Sequence, residues 1–227
     1  MLTPCDSPAV FPPDVARASA RFSVDDFTDA AASALGVHLP ANLAGSVRKR
    51  RAEYVAGRHC AIRAIRMLLP QFAGDVPSAE SRAPQWPPGT LGSITHAQGF
   101  ASAAVVLASR ARGIGLDTEA MLSRSALEAV RELAMHADEA PSAPFDLREE
   151  AYFALLFSAK ESTFKCLNPL TGRTLGYKDA RVRFDPGGTF DVEILTDLGD
   201  EIGPGTTIRG SWIADTTTVH TGLLLSH

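Results

Sequence analysis

Apolar residues recur every three to four positions along "DLREEAYFALLFSAKESTFKCLNP", residues 146–169, and this spacing predicts a helix of about five turns. Asp146 stands three residues before Glu149 in a capping-box arrangement, and Pro169 marks the expected end. Phe153, Leu156, Phe157, Phe164 and Leu167 share one stripe of this helix. A second amphipathic pattern predicts a helix from about Asn42 to Leu69, with Val47, Tyr54, Ala61, Ile62, Ile65, Leu68 and Leu69 as its apolar stripe. A shorter helix is expected from about Arg124 to Met135.

Elsewhere the period changes. "GSITH", "FASAAVVLAS" and "GIGLDTE" read as three short strands in a meander, preceded by a Pro- and Gly-rich connector, "PQFAGDVPSAESRAPQWPPGT", that suits neither helix nor central strand. Near the end, "DARVRF" and "TFDVEIL" flank the turn "DPGG" as a hairpin, and "TTIRGSWIA" and "TVHTGLLLS" add two strands. The first 40 residues mix prolines with short apolar stretches and are expected to wrap the surface with little regular structure. A long helix with strands thus occurs twice, giving an α+β chain of two similar halves, residues 1–113 and 114–227. If the halves pack together, the cleft between them is the natural place for a ligand.

Against this pattern several polar residues stand out. Lys160 falls near the middle of the apolar stripe, Glu161 at its edge and Lys165 one step further round. They could be a snorkelling lysine beside an i, i+4 surface pair, or one wall of a polyanion site. Arg50, Arg51 and Arg58 lie within or beside the stripe of the earlier helix. Arg58 in particular needs a carboxylate or phosphate, because burying an unpaired guanidinium costs several kcal/mol. His96 ends a short strand beside a Gly-containing turn, where it could donate to an anion or be structural. In "GLDTE", Asp117 and Glu119 alternate, so both carboxylates point to one side. They either form a solvated strand end or share a cation, and all-oxygen ligation suits Mg²⁺.

Composition narrows the function. With 45% hydrophobic residues the 227-residue chain can bury a substantial core, and its formal charge of −4 argues against a general nucleic-acid binder. No apolar run approaches the length needed to span a bilayer, and "MLTPCDSPAVFPPD" carries prolines and acids where a secretion signal would carry basic and then apolar residues. No membrane association and a cytoplasmic location are expected. Cys5, Cys60 and Cys166 fit neither a disulfide framework nor a zinc-ligand spacing, and Cys60 and Cys166 read as core.

Four segments, "KRRAEYVAGRHCA", "RAPQWPPGTLGSITH", "GLDTE" and "FSAKESTFK", occur in an order and spacing that resemble the 4′-phosphopantetheinyl transferases, in the larger class serving carrier proteins of peptide, polyketide and siderophore synthases. The resemblance implies two similar α+β halves related by a pseudo-twofold, with coenzyme A in the cleft between them and Mg²⁺ on its pyrophosphate. It implies Asp117, Thr118, Glu119 and Glu161 at the metal, Thr118 through its backbone or hydroxyl. Glu161, or a water it orients, would be the base, with Lys160 and Lys165 beside the phosphates. Thr95, His96, Arg50, Arg58 and Arg82, together with Lys165, would hold coenzyme A. The implied partner is an apo acyl or peptidyl carrier protein, modified at a serine with release of 3′,5′-ADP, and a monomer is expected. A non-catalytic coenzyme A binding protein and a Mg²⁺-dependent phosphohydrolase are the alternatives.

Overall fold

A computed structural model of the chain describes residues 2–199 and 202–227. They form two compact units, one of residues 2–7 and 13–111, the other of residues 8–12, 112–199 and 202–227. Both are α+β, each built from a long helix on an antiparallel sheet.

The first unit carries strands β1 (Leu2–Cys5) and β2 (Ala16–Phe22), short helices α1 (Asp29–Ala34) and α2 (Ala41–Ala44), the long helix α3 (Arg48–Leu68), and strands β3 (Thr90–Ala97) and β4 (Phe100–Leu107). Its sheet order is β1-β2-β4-β3. The first 40 residues are therefore not surface wrapping. Ala16, Ala18 and Ala20 alternate inward from β2, an interior strand whose small side chains let the helix face approach closely. The core joins Val55, Ala56, Cys60, Ile62 and Ile65 of α3 to Ala101, Ala103 and Val105 of β4. The helix begins at Arg48 rather than near Asn42, because the chain breaks at Gly45 to Val47 after α2. Val47, expected in the apolar stripe, lies outside the helix and is 73% exposed.

The second unit contains β5 (Gly113–Ala120), α4 (Arg124–Ala134), α5 (Glu149–Thr171), a 3₁₀ turn (Tyr177–Asp179), and strands β6 (Ala180–Asp185), β7 (Thr189–Ile194), β8 (Thr207–Ala214) and β9 (Thr218–Leu225). Its sheet order is β5-β9-β8-β7-β6. The expected three-strand meander is thus divided. β3 and β4 pair as a hairpin, whereas β5 leaves their sheet and pairs with β9, the last strand of the chain. The 185–188 hairpin forms as its turn residues require, with Gly187 N donating to Asp185 Oδ1 at 2.7 Å.

α5 differs at both ends from the sequence expectation. Its N-cap is Arg148 with no side-chain cap, and Glu149, instead of closing a box with Asp146, accepts from the backbone N–H of Ala143 at 2.7 Å. The helix continues through Pro169 to Thr171, where Gly172 adopts the left-handed conformation (φ 65°) and returns its N–H to Asn168 O. Phe153, Leu156, Ala159 and Leu167 face Phe190, Val192, Ile194 and Leu223. Cys60 and Cys166 are buried free thiols, and burial raises both thiols to about 12. Among the described residues no helix is long and apolar enough to cross a membrane.

Candidate active site

Gly115 sets the distance between β5 and α5. A Cβ there would lie 1.8 Å from Ser162 O, so only glycine lets the helix backbone sit directly on the strand. Strand alternation then carries Asp117 and Glu119 on the same face. Hydroxyls fasten the neighbouring strand to the helix: Thr221 Oγ1 donates to Ser158 O at 2.9 Å and lies within 3.1 Å of Ser162 Oγ.

On this platform Lys165 Nζ donates to Asp117 Oδ1 at 2.6 Å and to Leu116 O at 3.4 Å. Of the two readings open for Lys165, the i, i+4 pair with Glu161 is not the one formed, and the ion pair runs from helix to strand instead. Glu161 Oε1 accepts from the hydroxyl of Tyr177 at 2.5 Å. Burial raises the Glu119 carboxyl to about 7, Asp117 adds to the rise, Lys165 opposes it and Glu161 contributes less. Burial also raises the Tyr177 phenol, followed by its bond to Glu161 and by the charges of Glu161, Asp117 and Glu119. Three carboxylates, a phenol and an ammonium therefore form one electrostatic cluster.

Two residues placed here by the sequence reading have other work. Thr118 points to the opposite face from Asp117, where its hydroxyl lies 2.8 Å from His220 Nδ1, so the hydroxyl is not presented to the acids. Lys160, expected beside phosphates, is only 2% exposed. Its ammonium donates to Ala134 O at 2.6 Å, to Tyr177 O at 2.7 Å and to Glu139 at 3.0 Å, which uses all three protons. Burial pulls the ammonium below its ordinary range, opposed by Glu139. Glu139, which the sequence reading passed over in a Pro-rich loop, is itself buried and accepts from Val182 N and His136 N. The available signal was Lys160 itself, since a lysine in an apolar stripe calls for a partner, and a buried acid elsewhere in the chain is one of the choices. Tyr177 was also missed, and no local pattern distinguishes it.

The remaining candidates lie in the first unit. Arg58 is buried, donates to Ser78 Oγ at 2.9 Å and stacks 4.9 Å from the Tyr54 ring centroid. No carboxylate pairs with it among the described residues, and its Nε is buried without a hydrogen-bond partner. His96 Nδ1 lies 3.9 Å from Glu53 Oε1, and Thr95 is buried beside it on β3. Arg50 is exposed on α3. Arg82 is exposed at a turn with φ 68°, its N–H returned to Ala79 O.

Among the described residues, no group of three or more His, Cys, Asp or Glu side chains is arranged to hold a metal ion. The donor chemistry of the acidic cluster nonetheless suits a hard cation. Asp117, Glu119 and Glu161 supply only carboxylate oxygens, and their mutual repulsion is what a divalent ion would relieve.

Asp117 is buried, Glu119 and Glu161 are partly buried, and Lys165 approaches this acidic cluster from the facing helix. The 4′-phosphopantetheinyl transferase N-terminal domain family matches residues 39–106, and the 4′-phosphopantetheinyl transferase superfamily matches residues 113–205. The 4′-phosphopantetheinyl transferase PptT of Mycobacterium tuberculosis is 36% identical over 196 residues, 81% of this chain and 82% of that protein. The 4′-phosphopantetheinyl transferase Svp of Streptomyces mobaraensis is 38% identical over 182 residues, 74% and 70% of the two chains. Enterobactin synthase component D of Salmonella typhi is 36% identical over 126 residues, 53% of this chain and 50% of that protein. The chain belongs to the 4′-phosphopantetheinyl transferase family and is a transferase of that group.

Proposed function

We propose that this enzyme transfers the 4′-phosphopantetheine group of coenzyme A to a serine hydroxyl of an apo acyl or peptidyl carrier protein, with Mg²⁺ required and 3′,5′-ADP released. The observation that supports this best is the cluster of Asp117, Glu119 and Glu161 with Lys165 against it. Bound there, Mg²⁺ would supply a counter-charge to the pyrophosphate and polarise the phosphorus under attack. Asp117, Glu119 and Glu161 would hold it through carboxylate oxygens, and Thr118 could contribute only through its backbone.

Glu161 takes the proton from the carrier serine as the Oγ–P bond forms and the pyrophosphate P–O bond breaks. Lys165 then exchanges Asp117 for the phosphate, neutralising charge on the departing group. Arg50, Arg58, Arg82, Thr95 and His96 are assigned to binding coenzyme A. Arg58 carries the strongest support, because a buried guanidinium with one hydroxyl partner and an unmatched Nε suits an anion.

Intact mass spectrometry of apo-carrier proteins incubated with this protein, Mg²⁺ and coenzyme A tests the proposal. The expected result is a gain of one phosphopantetheine per carrier, lost in excess EDTA. Coenzyme A consumed equally without a carrier would indicate a hydrolase. Binding of coenzyme A with no consumption would indicate a non-catalytic binder. Either result overturns the proposal.

A further inference from the structure

We infer that Tyr177 is a positioning residue for Glu161, fixing one carboxylate oxygen so that the other is presented to the reaction. The inference rests on the transferase reading above but concerns a residue that the reading does not use.

Tyr177 opens the 3₁₀ turn that leads into β6, sixteen residues after Glu161, and its hydroxyl donates to Glu161 Oε1 at 2.5 Å. Two further contacts hold it there. Its ring lies 5.2 Å from that of Phe157, one helical turn before Glu161. Its carbonyl accepts from Lys160 Nζ at 2.7 Å, and Lys160 is anchored by the buried carboxylate of Glu139. A glutamate on a helix has three side-chain torsions, and fixing them costs conformational entropy. A phenol fixed at its ring and at its backbone removes that freedom, so the carboxylate is ordered before a substrate or ion arrives. The same geometry gives Lys160 a reason to be buried beside Glu161: it braces the residue that orients its neighbour.

Tyr177→Phe keeps the ring and its contact with Phe157 and removes only the donor. Three measurements on the full chain are made with wild type and variant: Mn²⁺ binding followed by electron paramagnetic resonance, the thermal midpoint, and steady-state transfer from coenzyme A. The variant is expected to bind Mn²⁺ roughly 10-fold or more weakly and to lose kcat by about 10- to 100-fold, with KM for coenzyme A and the midpoint nearly unchanged. In a Glu161→Gln background the Tyr177→Phe effect on Mn²⁺ should largely disappear.

Wild-type values of Mn²⁺ affinity and kcat in the variant overturn the inference. So does a fall in the thermal midpoint with affinity and kcat preserved, or a rise in KM at constant kcat. A wild-type protein that binds no Mn²⁺ also overturns it. The Mn²⁺ titration needs no carrier protein, so a wild type that binds Mn²⁺ but transfers nothing refutes the proposed function while leaving the Tyr177 comparison decisive.

Discussion

Removing the Lys160 side chain should cost far more stability than any exposed lysine would, and the structure allows the size to be worked out. Lys160 and Glu139 are 2% and 0% exposed in their side chains, with 3.0 Å between charges. Lys160→Met fills similar volume but leaves a buried carboxylate without its cation, and Ala134 O and Tyr177 O without their donor. An uncompensated buried charge of this kind costs about 3–5 kcal/mol. In a chain of this size that is a fall in thermal midpoint of roughly 6–20 °C. Glu139→Gln is expected to cost on the same scale, because it leaves the buried ammonium without its counter-ion and turns an amide NH2 toward either Val182 N or His136 N. The double variant no longer holds a lone charge, so it should be more stable than the sum of the single losses by about 2 kcal/mol. Urea unfolding of the four proteins measures this coupling. Additive losses, or a Lys160→Met variant within about 1 kcal/mol of wild type, would refute the reasoning, since surface pairs contribute on that smaller scale. KM for coenzyme A should change little in Lys160→Met, because the ammonium has no proton left for a phosphate.

Gly115→Ala places a methyl 1.8 Å from a helix carbonyl and should destabilise by at least the roughly 1–3 kcal/mol of ordinary overpacking; transfer activity should fall with it as β5 and its acids move from α5, and a normal thermal midpoint would refute this. If the anion that Arg58 holds is the 3′-phosphate of coenzyme A, Arg58→Ala should weaken coenzyme A by about 10- to 100-fold, the scale of a charge-assisted bond, while affecting dephospho-coenzyme A, which lacks that group, much less; equal losses in kcat/KM for both would refute this placement. At the β8–β9 turn, burial raises the Asp215 carboxyl, but bonds from the backbone and hydroxyls of Thr217 and Thr218 outweigh it and hold the carboxyl at about 2. Because this lies below the ordinary 3.8, the stability difference between wild type and Asp215→Ala should be constant above about pH 4 and shrink as pH falls toward 2, as read by urea unfolding across that range.

Elements with strong periodicity were legible in the sequence, and those whose signal depends on distant partners were not. The C-terminal hairpin declares itself through a turn whose backbone only proline and glycine favour, and α4 carries a Ser123 cap that accepts from Ala126 N. β2 gives a weak strand signal because its inward residues are alanines, which have little strand propensity, and because the polar Ser19 on the other face is buried as well. β5 was recognised as a strand but given the wrong neighbours. Its pairing with β9 closes a loop of about a hundred residues, and nothing in "GIGLDTE" encodes that choice.

The same division runs through the site. Asp117, Glu119, Glu161 and Lys165 could be picked out because each breaks a local pattern, and the structure brings them into one cluster. Lys160 broke its pattern just as visibly, yet for the opposite reason. A charge in an apolar stripe states only that a partner exists, and does not say whether that partner is a ligand or another side chain. Here the partner is Glu139, twenty-one residues away in a segment whose proline-rich composition suggests solvent. The pair bears on the chemistry indirectly, through the Tyr177 carbonyl that Lys160 holds and the Glu161 carboxylate that the Tyr177 hydroxyl meets. Adjacent residues on one helix can therefore divide the labour. Lys160 turns inward to fix the loop, which leaves Glu161 at the edge of the stripe with its orientation supplied from the other side.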